Sequence, residues 1–185
     1  MSAQTYRGPE RRALVLIDFQ RDFVEPAGRM PAALNQIPAT LAAASRALAT
    51  ARERGDLIVA IGNEFRPRDR LMNLLRRHAA IAGSDGARWS ERLPIDGAQY
   101  FAKWAGSAFV NPELDKWLRA QGVTTLALSG LMARACVTAT ANDALARGYK
   151  VEILADAVAC YSDSSRKRAL SRLEAAGVLV RSNAA

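Results

Sequence analysis

Compact apolar runs alternate with longer, interrupted apolar patterns along most of the chain. ALVLID at residues 13–18 is apolar on consecutive positions and closes on an aspartate. That is the signature of a parallel strand buried on both faces, whose last residue emerges at the carboxyl end of a sheet. DLIVAIG at 56–62, VTTLALSG at 123–130 and KVEILAD at 150–156 repeat it. AQYFAK at 98–103 predicts a short strand ending near Lys103, and VLV at 178–180 a final one. Between them lie helical patterns. An alanine-rich stretch over about residues 35–54, with Leu34, Ile37, Leu41 and Leu48 on a common spacing, stops at Gly55. NPELDKWLRAQG carries a capping Asn111, Pro112 in the first turn and a closing Gly122. ARACVTATANDALARG and SDSSRKRALSRLEAAG complete the set, while residues 66–81 read as a loop passing into a short helix. Residues 82–97, rich in glycine and mixed in polarity, predict an irregular excursion suited to a pocket wall.

Strand and helix patterns in alternation predict an α/β fold: a three-layer α/β/α arrangement around an open, mostly parallel sheet of about six strands. With 185 residues and no linker rich in proline, glycine or serine, residues 13–185 are expected to form one domain after a tail over residues 1–12. Active sites of such sheets lie at the carboxyl ends of the strands, near the point where strand order reverses. Asp18, Lys103 and Cys136 each fall at or just beyond a predicted strand end, so residues far apart in sequence are compatible with one site.

Composition narrows the chemistry. No apolar run is long enough to cross a bilayer, and MSAQTYRGPERR lacks the apolar segment of a signal peptide, so the cytoplasm is the expected compartment. A formal charge of +8, mostly from arginine, admits acidic partners. The basic residues are dispersed and no aromatic-interleaved basic stripe accompanies them, which argues against specific nucleic-acid binding. Two cysteines without close spacing and a single histidine, His78, provide no zinc-ligand pattern.

Cys136 sits in the opening of a helix pattern, where unpaired amides and the helix dipole favour a thiolate and a nearby lysine lowers the thiol pKa further. Equally, a free cysteine is often a small core residue. Asp18 is costly to bury unpaired; it is either a structural acceptor or a proton acceptor for the thiol. Lys103 either snorkels to the surface or supplies the cation beside the other two. Cys160 has no comparable setting and reads as structural.

Three stretches, LVLIDFQRDF, AKWAGSAF and SGLMARACVTATANDALARGYKVEILADA, together resemble the isochorismatase-like cysteine hydrolase superfamily in order and spacing, from about residue 13 to residue 160. The resemblance implies a triad of Asp18, Lys103 and Cys136. Cys136 attacks a carbonyl carbon, Asp18 acts as base and then acid, and a thioester forms as ammonia or an amine departs. It also implies a cis Leu131–Met132 bond and an oxyanion hole made by the amides of Met132 and Cys136. Members resembling nicotinamidase carry an aspartate and histidines after the second strand. The matching IGNEFRPRDR holds no histidine, so neither a catalytic metal nor another cofactor is expected. The family namesake typically lacks the cysteine, so Cys136 points to C–N bond hydrolysis. Ala133 stands where the family often has threonine. A homodimer or homotetramer is implied as well.

Candidate substrate-binding residues are Phe19, Phe23, Asn63, Phe65, Trp89, Trp104 and Arg134, together with Met132; for each aromatic, core packing is the competing role. Asn63 and Glu64 are placed to orient an amide or ureido group or to face solvent. Arg134 is a candidate for a substrate carboxylate or an ordinary helix-surface residue. Gln20 is expected to brace Asp18 or its loop, and Asp22 to make a structural contact. The leading expectation is a metal-independent cysteine amidohydrolase acting on a small amide, carbamoyl or ureido compound, and the basic charge admits an acidic one. A hydrolase-like binding or regulatory protein, a redox-active cysteine protein and a nucleic-acid binder are the alternatives.

Overall fold

The computed structural model describes residues 10–182, so residues 1–9 of the expected tail and 183–185 of the expected domain lie outside the described residues. Six strands form one sheet: β1 (Arg12–Ile17), β2 (Leu57–Asn63), β3 (Gln99–Lys103), β4 (Thr125–Gly130), β5 (Lys150–Val158) and β6 (Leu179–Arg181). Their order is β3-β2-β1-β4-β5-β6, and every pairing between neighbours is parallel. The three-layer α/β/α expectation holds. Helix α1 (Arg21–Val24) is a single turn not legible in the apolar pattern, followed by α2 (Ile37–Arg54) and the short α3 (Arg70–Leu75). Then come α4 (Pro112–Ala120), α5 (Thr138–Ala146) and α6 (Asp163–Ala175). Right-handed crossovers in this strand order put α2 on one face and α4, α5 and α6 on the other.

Local chemistry explains the boundaries. The Asn111 side chain accepts from Glu113 N at 3.1 Å and Pro112 opens α4, while Gly55 ends α2 in the left-handed conformation (φ 70°). Ala133 to Val137, expected as the first turn of a helix, instead forms a wide π-type turn, and the regular helix begins at Thr138. The Thr138 hydroxyl bonds back to Ala133 O at 2.6 Å. None of the helices among the described residues is long and apolar enough to cross a membrane.

Strand order reverses between β1 and β4, and that junction is tight. Gly130, the last residue of β4, has φ 141°, and a Cβ there would collide with the carbonyl oxygen and Cβ of Ile17. Only glycine lets β4 close against β1 at the carboxyl end. Gly130→Ala is therefore expected to cost about 3 kcal/mol of stability by chemical denaturation; a loss under about 1 kcal/mol would contradict this account of the junction.

Candidate active site

The carboxyl ends of β1, β2, β3 and β4 converge on one point. Asp18 follows β1 with φ 60°, held there by its amide donating to Ile61 O at 2.8 Å. A left-handed turn by a residue other than glycine is uncommon and costs free energy, so a surrounding structure must impose it. Lys103 ends β3 and is fully buried. Its ammonium has three N–H groups, and three acceptors surround it: Asn63 Oδ1 at 2.7 Å, Cys136 Sγ at 3.2 Å and Ala105 O at 3.3 Å. Asp18 Oδ2 lies 3.0 Å from the same nitrogen as an ion pair. Neither Asp18 carboxylate oxygen accepts an aligned hydrogen bond, although both are buried. The arrangement keeps the Lys103 charge beside Asp18 and sets the Cys136 thiol against the same carboxyl.

Asn63, at the end of β2, is itself clamped. Its N–H donates to Gln20 Oε1 at 2.7 Å, and Gln20 Nε2 returns a bond to Asn63 O at 2.8 Å and reaches Ala87 O as well. Gln20 thus fixes the residue that orients Lys103 rather than Asp18 directly. Asp22 is a structural contact, accepting from Arg29 N at 3.0 Å and Ala80 N at 2.8 Å.

The Leu131–Met132 peptide is cis, and Met132 N makes no hydrogen bond among the described residues. Met132 O caps the wide turn by accepting from Ala135 N at 2.9 Å and Val137 N at 3.3 Å, which brings Cys136 up beside Lys103.

The electrostatics reverse one expectation. Burial pushes the Cys136 thiol up to about 11, Asp18 adds to the rise, and Lys103 opposes it without prevailing. The balance of burial and Asp18 against Lys103 favours the thiol, against the pull toward a thiolate expected from a helix start. Burial also raises the Asp18 carboxyl above the usual carboxylate range, again against the pull of Lys103. Asp18 is therefore a stronger base than a solvated aspartate, next to a thiol that needs one.

A cavity of about 290 Å³ opens onto Asp18 and Cys136, at the small end of ligand pockets. Phe23, Asn63, Phe65 and Met132 line it. Phe19, Trp89, Trp104 and Arg134 do not. Phe19 is fully buried in the core with its ring centroid 6.0 Å from that of Trp89, whose indole N–H is tied to Leu93 O at 2.8 Å. Trp104 follows Lys103, and consecutive side chains along a strand direction point oppositely; its ring lies under Arg66 instead. Arg134 is two residues from Cys136 on a helical turn, positions that do not share a face, and it lines a separate groove with Arg168 and Arg172. Cys160 is fully buried, its N–H bonded to Gln36 Oε1 at 2.9 Å.

Lining side chains that the sequence did not single out include Met30, Arg76 and Tyr161. Tyr161 follows the end of β5, where the strand-end rule would have found it; Met30 and Arg76 come from irregular segments that carry no such signal. Among the described residues no group of three or more His, Cys, Asp or Glu side chains is arranged to hold a metal ion.

The chain matches the isochorismatase domain family over residues 12–185. It is 30% identical over 160 residues to a probable inactive nicotinamidase of Arabidopsis thaliana, covering 80% of each chain. It is 31% identical over 153 residues to streptothricin hydrolase of Streptomyces noursei, covering 81% of this chain and 50% of that one. The structure of N-carbamoylsarcosine amidase from Thermoplasma acidophilum superposes with a TM-score of 0.81 at 31% identity, covering 95% of this chain and 98% of the other. With the family model matching nearly the whole described chain, this chain belongs to the isochorismatase-like hydrolase superfamily, whose cysteine-hydrolase members are among its relatives.

Proposed function

We propose that this protein is a metal-independent cysteine amidohydrolase that cleaves a C–N bond of a small amide, carbamoyl or ureido compound. The observation that carries this reading is the position of Lys103 Nζ, 3.2 Å from Cys136 Sγ and 3.0 Å from Asp18 Oδ2 at the end of a small cavity. In the forward step Asp18 takes the thiol proton as Sγ bonds to the substrate carbonyl carbon, and the oxygen gains the electron pair of the C=O π bond. The amides of Met132 and Cys136 receive that oxyanion; the unpartnered Met132 N–H supports the assignment. Collapse breaks the C–N bond, Asp18 returns its proton to the nitrogen, and ammonia or an amine leaves a thioester on Cys136. Asp18 then takes a proton from a water molecule whose oxygen attacks the thioester carbon; the C–S bond breaks, Asp18 returns the proton to sulfur, and the acid departs with the thiol restored. Lys103 steadies the sulfur while negative charge passes through it, and Asn63 holds Lys103.

A catalytically silent binding or regulatory role is the second reading, favoured by the relative named as a probable inactive nicotinamidase. The two readings separate on a panel of small amides assayed for ammonia release. Hydrolysis by the native chain should fall at least about 10,000-fold in Cys136→Ala; turnover retained by that variant would sink the covalent mechanism, and no turnover across the panel favours the binding role.

We further read the protein as a cytoplasmic homodimer or homotetramer without nucleic-acid or membrane partners. Exposed Leu71, Met72, Leu74 and Leu75 around α3 supply apolar surface for association, and a monomer in sedimentation velocity would contradict this.

The proton arrangement makes a signed prediction. Protonating Asp18 removes the base, so kcat/KM falls as pH drops through its raised pKa, at higher pH than for an ordinary aspartate. With the thiol pKa near 11, alkylation of Cys136 by iodoacetamide should keep accelerating through pH 8 to 10. Asp18→Asn should lower turnover roughly 100- to 10,000-fold. The same change should make Cys136 easier to alkylate at pH 8, because one cause of the raised thiol pKa is gone. Slower alkylation in Asp18→Asn would show that Asp18 favours the thiolate and would overturn this assignment.

A further inference from the structure

The excursion after β2 closes on itself at its base, where Phe65 N donates to Ala80 O and Ala82 N to Phe65 O, each at 2.9 Å. Between these points the chain forms α3 and returns through Arg77, His78 and Ala80, with φ of 55°, 59° and 49°. Left-handed residues other than glycine persist where neighbouring groups over-determine them. Here they are pinned from several sides. His78 N donates to Asn73 O at 2.7 Å, and the Arg29 guanidinium to His78 O at 2.7 Å. Ala80 N donates to Asp22 Oδ2 at 2.8 Å, and the buried Asn73 side chain to Arg66 O at 2.9 Å.

What this framework delivers is the Arg76 side chain. Its guanidinium carbon lies 3.9 Å from the centroid of the Phe65 ring, and both residues line the cavity that contains Cys136. Stacking engages the face of the guanidinium and leaves its N–H edges available. Among the described residues no carboxylate and no side-chain hydrogen bond occupies those edges. The acidic residue lining the cavity is Asp18, already paired with Lys103. An uncompensated planar cation in an otherwise largely apolar wall, formed by Phe23, Met30, Phe65 and Tyr161, fits a ligand that brings its own planar anion.

We infer that Arg76 determines substrate specificity by binding a carboxylate on the far end of the substrate from the scissile amide, so that the preferred substrates are short amides, carbamoyl or ureido compounds carrying a carboxylate. The inference rests on the amidohydrolase reading of the same site. A cavity of about 290 Å³ holds both contacts only for a compact molecule, with a short apolar spacer against the aromatic wall. Arg134, the arginine nearer the nucleophile in sequence, serves no such role because it faces the separate groove.

The test compares succinamate with its neutral methyl ester as substrates, and measures succinate binding by calorimetry, in the native chain and in Arg76→Gln, Arg76→Lys and Arg134→Gln. Native enzyme is expected to favour succinamate. Arg76→Gln should weaken succinate binding and raise KM for succinamate roughly 10- to 100-fold, a larger change than in KM for the ester. Arg76→Lys, which keeps the charge but loses the planar fork and guards against misfolding of the first variant, should fall between. Arg134→Gln should behave as native. The inference is overturned if native chain binds no succinate, if Arg76→Gln leaves the anionic-to-neutral preference and the succinate Kd intact, or if Arg134→Gln weakens binding as much. Because succinate binding needs no turnover, its outcome stays distinct from failure of the amidohydrolase reading, which appears as amide turnover indifferent to Cys136→Ala.

Discussion

The buried ammonium of Lys103 is the constraint on which the site depends. A cation without solvent is tolerable only when its donors and its charge are both answered, and here different groups answer them. Asn63, Ala105 and Cys136 accept its hydrogen bonds, while Asp18 balances its charge at 3.0 Å without an aligned bond. Removing either member of such a pair typically costs about 3–5 kcal/mol, because the survivor is left charged and buried. This arrangement sets a desolvated carboxyl against a thiol, the pairing that proton transfer between them requires.

Much of the fold exists to hold that cluster. A parallel sheet whose order reverses between β1 and β4 brings four strand ends to one side, each carrying one participant: Asp18 after β1, Asn63 on β2, Lys103 on β3 and Met132 beyond β4. Gly130 lets the two central strands close, and the Gln20–Asn63 pairing ties the turn after β1 to the end of β2. The wide turn from Ala133 to Val137 then lifts Cys136 over the cation.

The strands, their parallel arrangement and the three strand-end residues were legible because burial on both faces leaves a continuous apolar run, and a charged residue can end it only where the chain leaves the sheet. The thiol's state was not legible. A helix start and a nearby lysine both favour a thiolate, but the degree of burial and the proximity of Asp18 outweigh them, and both are tertiary facts. Likewise, Phe23 and Phe65 carried the same aromatic signal as Phe19 and Trp104, and only the path of the chain separates cavity wall from core or outer surface. Arg134 lies close to Cys136 in sequence, yet two positions along a helical turn is the wrong spacing to share its face. Arg76 was hidden in a segment whose course depends on bonds with Asp22 and Arg29, neither of them local to it.

The central claim is that Cys136 becomes covalently acylated during hydrolysis. Acid-quenching the full chain within its first turnovers of an amide substrate, followed by intact and peptide mass spectrometry, tests it most directly. The account predicts the mass of the acyl group on the Cys136 peptide, removable by hydroxylamine and absent without substrate. Rapid hydrolysis with that peptide never modified, even when hydroxylamine partitioning yields no hydroxamate, would contradict it.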